Sequence, residues 1–397
     1  VSETQLVPLS IRRGDGKCPF GPAAEFARLR AEEPVVRVDA PLPLAGEMPV
    51  WLVTRYADVR EVMGDSDRFS NILNPDVALP DYVVGNPNFY DPPEHTRLRR
   101  FLGGEFTLKR VQEMRPRIEE IIEGCLDDME RSGPPADLVQ SFALPVPSLV
   151  ICELLGVPYD DRADFQRRTA TLLDYSRPLQ EQLAAQAEMH GYIMELAARN
   201  RTAPGDNVLG RVVREHGDEL SDQELGGIGA TLLVGGHETS THMLALGTLL
   251  LLQHPEQAAL VRDDPEVAGS AVEELMRYLS VASASLPRRA VVDTVVGGQA
   301  VKAGEVLVCA LQSANRDEAL TPDPDRFDVT RRPTPQVGFG FGPHQCLGQQ
   351  LARLEMRIAF PALLRRFPGL RSAVPLEEIP FRRNLPVHGV ERLPLAW

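Results

Sequence analysis

The chain of 397 residues is 43% hydrophobic and 25% charged, the balance of a folded globular protein rather than a disordered or fibrous one. Forty-two basic residues against 56 acidic ones leave a formal charge of −14, which argues against nucleic acid as a partner. Five scattered cysteines, Cys18, Cys125, Cys152, Cys309 and Cys346, form no CxxC pair, so neither a disulfide framework nor a zinc finger is expected and a reducing cytoplasm fits.

Residues 1–21 carry charges at Glu3, Arg12, Arg13, Asp15 and Lys17 and no apolar run, so a soluble chain with neither leader nor anchor is expected. Hydrophobic periodicity predicts helices over 23–31, 57–64, 94–106, 108–131, 144–155, 159–173, 179–200, 222–253, 265–278 and 347–367. Shorter β-type runs fall at 35–38, 50–53, 290–296 and 306–310. With no internal repeat and no linker, one mainly α body over residues 1–397 is expected. The most informative helix is 222–253: Ser221 and Glu224 form a capping box, and His254-Pro255 stops it. Its interior glycines, with His237, Glu238 and His242, suit a protein interior better than lipid.

The run Phe339-Gly340-Phe341-Gly342-Pro343-His344-Gln345-Cys346-Leu347-Gly348 stands directly ahead of the last long helix. N–H groups and the dipole at a helix start favour an anion, so Cys346 is expected as a thiolate that could bind a metal or attack carbon. Gly340, Gly342 and Gly348 would let backbone approach a flat group closely. An isolated Cys-x-Gly would instead read as a core cysteine after a turn. The full pattern resembles the haem-binding segment F-x-x-G-x-x-x-C-x-G of the cytochrome P-450 family, matched at Phe339, Gly342, Cys346 and Gly348. The resemblance implies a mainly α cytochrome P-450 fold, with a large helical lobe and a smaller β-rich lobe enclosing haem b. It makes Cys346 the axial iron ligand, whose thiolate favours O–O cleavage.

Other stretches extend the likeness. Glu274 and Arg277 match the family's E-x-x-R, and Pro324-Asp325-Arg326-Phe327 is similar to its P-x-R-F loop. Glu274, Arg277 and Arg326 would then be a buried structural triad that fixes the cysteine loop. Gly235-Gly236-His237-Glu238-Thr239-Ser240 resembles the oxygen-activating [A/G]-G-x-[D/E]-T-[T/S]. That implies a catalytic pair, Thr239 and Glu238, with Glu238 relaying protons from solvent and the Thr239 hydroxyl helping to open the helix ladder into a notch. His237, Glu238 and His242 only mimic the H-E-x-x-H zinc signature, because Thr241 holds the i+4 place. His95 and Arg99 match H-x-x-x-R, and with Arg288 and His344 they are the expected haem propionate partners. Arg288 is preferred to its rival Arg289 by its spacing from Gly297.

Segments 71–90, 165–186, 231–235, 283–286 and 384–387 are apolar and are expected to surround a hydrophobic small-molecule substrate, with Thr231, Val234, Gly235, Ser285 and Val387 in contact. No reductase domain is recognisable, so the resemblance implies electrons from a ferredoxin and an NAD(P)H-dependent ferredoxin reductase; Arg97, Arg100, Lys109, Arg353 and Arg357 are the candidate basic docking patch, the alternative for each being a solvated helix face. It implies a cytoplasmic monomeric monooxygenase that tailors a polyketide, macrolide or terpenoid. The alternatives are a peroxide-using or oxidative-coupling haem-thiolate enzyme and a haem sensor.

Overall fold

The computed structural model describes residues 19–42, 46–79, 81–172, 179–382 and 387–397. Cys18, the charges of the first 18 residues, and the expected substrate contacts at 173–178 and 384–386 lie outside the described residues.

The expected helices form at Glu25–Glu32, Tyr56–Gly64, Glu94–Gly103, Pro145–Leu155, Arg162–Leu172, Leu179–Thr202, Asp222–Leu252, Val267–Leu279 and Gln349–Arg366. The single helix expected over 108–131 is two, Leu108–Glu113 and Arg115–Ser132. Pro116 accounts for the break: lacking an N–H, it sits in the first turn of the second helix. Two helices gave too short a periodic run to read, Val208–His216 and Pro255–Asp263. The first is capped by the Asn207 side chain, which accepts from the Gly210 N–H at 2.9 Å. Pro255 thus both ends the long helix and opens the next.

The run expected at 290–296 also divides. Arg288–Ala290 joins the main sheet, while Thr294–Val296 turns back on Gln299–Val301 through Gly297 and Gly298, at φ +55° and +85°. The main sheet runs in the order Val35–Leu42, Gly46–Val53, Val306–Cys309, Arg288–Ala290, Phe69–Ser70. Only the Gly46–Val53 and Val306–Cys309 pair is parallel.

Asp222–Leu252 runs through the helical lobe against Leu179–Thr202, Pro145–Leu155, Val267–Leu279 and Gln349–Arg366. At about 1.5 Å per residue it spans roughly 45 Å. Its start is the expected capping box: the Ser221 hydroxyl accepts from the Glu224 N–H at 3.1 Å, and the Glu224 carboxylate from the Ser221 N–H at 2.8 Å. Gly236 lets the helix approach its neighbour, since a Cβ there would lie 2.5 Å from Ile151. No helix among the described residues is long and apolar enough to cross a membrane. One large core fills the helical lobe, and smaller ones lie on the sheet. The cysteine loop, the strand Arg288–Ala290 and the helix Glu94–Gly103 meet between them.

Candidate active site

Backbone bonds shape the cysteine loop. The Gly340 N–H donates to Val337 at 2.8 Å, Gln345 to Gly342 at 3.0 Å and Cys346 to Phe339 at 2.8 Å. Gly342 has φ +75°, and a Cβ on it would meet the Met63 carbonyl at 2.5 Å, so glycine is required for two reasons. Gly348 has open space instead, and the helix begins after it at Gln349. Arg353 ties the loop to Val267–Leu279: it pairs with Glu273 at 2.5 Å and lies 4.3 Å over the Phe339 ring.

Cys346 lies deep in the protein yet keeps accessible surface, which holds for a group facing an internal cleft. Burial pushes its thiol above the ordinary value, while the Gly348 N–H, Arg99 and Arg353 pull it back. The expectation of a thiolate held by the helix start alone is therefore corrected. Desolvation is the larger of these effects, and a bound metal ion would favour the thiolate.

Around this sulfur the structure gathers four residues from three elements. His95 and Arg99 are one turn apart on Glu94–Gly103, Arg288 is on the strand, and His344 is in the loop. The His95 and His344 rings are 4.0 Å apart. Arg288 is 2% exposed, whereas the next strand residue, Arg289, faces the other way and donates to the Ile72 carbonyl at 2.9 Å. Strand alternation thus settles which arginine points inward. Burial, followed by Arg288, His95 and Arg99, lowers His344 to about 2; burial and then Arg99 lower His95 to about 4, so both rings are neutral at pH 7. Both His95 ring nitrogens and His344 Nε2 are buried without a hydrogen-bond partner. Buried donors and two guanidiniums converging in this way fit an acidic group, which would satisfy them.

On the long helix, the Thr239 hydroxyl donates to the Gly235 carbonyl at 3.1 Å, as the motif predicts. The expected notch does not follow, because the backbone stays α-helical from Asp222 to Leu252. Space comes from side chains instead: a Cβ on Gly235 would meet nothing within 4 Å, and Val234 beside it is 54% exposed. Glu238 lies on the same helix. It is buried, with Oε1 2.8 Å from Arg382, whose guanidinium also donates to His242 Nε2. The acid expected to relay protons from solvent thus sits in a buried ion pair. Burial lowers His237 and His242 to about 3.

The expected charge triad forms with one substitution. Arg277 grips Glu274 through two bonds of 2.8 and 2.9 Å, with both side chains 1% exposed. The third member is Arg331, at 3.2 Å from Glu274. Arg326 contributes only its carbonyl, to Arg277 at 3.4 Å and Arg331 at 2.9 Å, and its side chain is 70% exposed beside Asp328. Several arginines follow Pro324, and spacing alone could not choose between them.

Of the expected substrate contacts, Val234 is exposed and Gly235 has open space beside it. Thr231 donates its hydroxyl to Gly227 at 2.7 Å. Ser285 is occupied by the strand end, accepting from the Cys309 N–H at 3.1 Å and donating to Leu286 at 2.8 Å, while Leu286 itself is 45% exposed. Val387 bridges to Ala282. The expected basic patch is largely neutralised: Arg97 pairs with Glu94 and Glu224, Arg100 with Glu219, and Arg353 and Arg357 with Glu273. Lys109 is exposed with no ion pair among the described residues.

A family model for cytochrome P-450 matches residues 266–370, from the Glu274 helix through the cysteine loop. The chain is 45% identical to cytochrome P-450-SU2 of Streptomyces griseolus, covering 98% of this chain and 96% of that one. It is 44% identical to nocardicin C N-oxygenase of Nocardia uniformis subsp. tsuyamanensis, covering 94% of each. A solved cytochrome P-450 from glycopeptide antibiotic biosynthesis superposes with a TM-score of 0.89 at 46% identity, covering 98% of this chain and all of that one. The chain belongs to the cytochrome P-450 family, the haem-dependent monooxygenases.

Proposed function

We propose that this monooxygenase inserts one atom of dioxygen into an apolar natural product, by hydroxylation or epoxidation, with Cys346 ligating the iron of haem b. The observation that carries the reading is the convergence of the unsatisfied nitrogens of His95 and His344 with Arg99 and Arg288, with Arg99 also facing Cys346. These four would hold the propionates, each desolvated carboxylate meeting charged or N–H donors. When bound, haem supplies the iron at which dioxygen is activated.

The chain's own residues do the rest. Cys346 provides an anionic sulfur once metal is bound. Val234, Gly235 and Leu286 exclude water and orient an apolar substrate by shape. The Thr239 hydroxyl, free to rotate from Gly235, holds a proton at the cleft, and Glu238 passes protons to it from the Arg382 side. Relatives in antibiotic biosynthesis and natural-product oxidation support a secondary-metabolite substrate. The proposal includes a cytoplasmic monomer reduced by ferredoxin and its NAD(P)H-dependent reductase. Its docking face centres on Lys109, since the neighbouring arginines already have acidic partners.

The test supplies ferredoxin, its reductase, NAD(P)H and isotopically labelled dioxygen to the protein with a panel of apolar compounds. A product carrying one labelled oxygen is expected. Product formed by coupling, without label, contradicts the reading. In the same assay Thr239→Ala should divert electrons to hydrogen peroxide, with product per NAD(P)H falling about tenfold or more. Unchanged coupling removes Thr239 from proton handling.

A further inference from the structure

We infer that Asn71 sets the tautomer of His344, fixing its ring hydrogen on Nε2 and presenting that nitrogen to the cofactor. The inference rests on the proposed contact between His344 and a propionate.

Asn71 follows the short strand Phe69–Ser70 and is nearly buried. Its position is over-determined. Its N–H donates to Asp91 Oδ1 at 2.8 Å, and the adjoining Ser70 hydroxyl donates to Asp91 Oδ2 at 2.5 Å. Its side-chain nitrogen Nδ2 donates to the Asn88 carbonyl at 2.9 Å and lies 3.2 Å from His344 Nδ1.

The chemistry of these atoms leaves one arrangement. A backbone carbonyl only accepts, so the group facing Asn88 must be the amide nitrogen rather than the oxygen. That nitrogen has two hydrogens and no acceptor function; Asn88 takes one, and the other faces the imidazole. His344 Nδ1 must therefore carry the lone pair, which puts the ring hydrogen on Nε2. Nε2 is the buried nitrogen without a partner, and the ring that carries it lies against His95 and near Arg99 and Arg288. In this tautomer all four residues offer donors to one acidic group. In the reverse tautomer a nitrogen lone pair would face a carboxylate and repel it.

Asn71 also links the elements that build the site. Ser70 pairs with Arg289 in the sheet, Asp91 leads into the helix of His95 and Arg99, and His344 belongs to the cysteine loop. The segment beginning at Asn71 was expected to face substrate. Its first residue instead turns toward the cofactor edge, which makes it a positioning residue.

The test uses holoprotein labelled with ¹⁵N-histidine, reduced and bound to carbon monoxide so that the iron is diamagnetic. Nitrogen–proton correlation spectra report which ring nitrogen bears hydrogen, and His344→Gln identifies the His344 signals by their loss. Hydrogen on Nε2 is expected in the wild type, and hydrogen on Nδ1 overturns the inference without recourse to a variant. Asn71→Asp places an acceptor where the donor was. The expected result is a switch to the Nδ1–H form and haem transfer to apomyoglobin about tenfold faster; an unswitched tautomer overturns the role of Asn71. Haem loss from His344→Gln at the wild-type rate removes the propionate contact, and the inference with it. A slower-releasing wild type with an unswitched Asn71→Asp sinks the inference alone.

Discussion

Arg277→Leu is expected to destabilise the protein by about 3 to 5 kcal/mol, the cost of leaving a buried charge without its partner. Arg277 makes two bonds to Glu274 and also donates to the Asn315 carbonyl at 2.9 Å and the Pro324 carbonyl at 2.7 Å. Its removal strands a carboxylate and two buried carbonyls together. Arg331 and the Asp328 N–H would remain on Glu274, which keeps the cost from rising further. Arg326→Ala provides the contrast, because its exposed side chain contributes no contact to the cluster, and a change within about 0.5 kcal/mol is expected. Urea unfolding of both variants decides the matter. Equal destabilisation by the two would contradict the assignment of Arg331 as the third member.

Glu355 should make stability fall as pH rises. It lies in Gln349–Arg366, 3% exposed, with Oε2 lacking any hydrogen-bond partner, and burial alone pushes its carboxyl up to about 8. In the unfolded chain the group ionises near its ordinary value of 4.5. Between those values the folded state holds a proton that the unfolded state has released. The Glu355 contribution to folded stability is therefore greatest below about pH 4.5 and declines by about 1.4 kcal/mol per pH unit up to about pH 8. Glu355→Gln removes the titration. Relative to wild type, the variant should gain about 3 kcal/mol between pH 5 and 7.5. An infrared band of a protonated carboxyl at neutral pH, lost in the variant, gives an independent reading. Parallel pH profiles for the two proteins would show that Glu355 is ionised or solvated in the folded state.

The parts of this protein that were legible in advance are those where local sequence carries the physics. Helical periodicity and the Ser221 capping box set the long helix, and the glycine-spaced cysteine run identified the loop. Strand alternation needed the observed sheet before it could separate Arg288 from Arg289. Long-range partners left no local trace. Arg331 and Arg326 are both arginines in one loop, and only the folded backbone decides which reaches Glu274. Arg382 lies 144 residues from Glu238 in sequence, and nothing local announces the buried ion pair that the two form. The thiol followed the same rule: a helix start favours an anion, but desolvation, which depends on everything packed around Cys346, is the larger effect.

Ligation of iron by the Cys346 sulfur is tested most directly by the optical spectrum of the reduced, carbon monoxide-bound protein, recorded for wild type and Cys346→Ser. The wild type should show the red-shifted Soret band of a thiolate-ligated haem, and the variant should lack it. The same red-shifted band in both proteins, or its absence from both after haem is bound, would contradict the assignment.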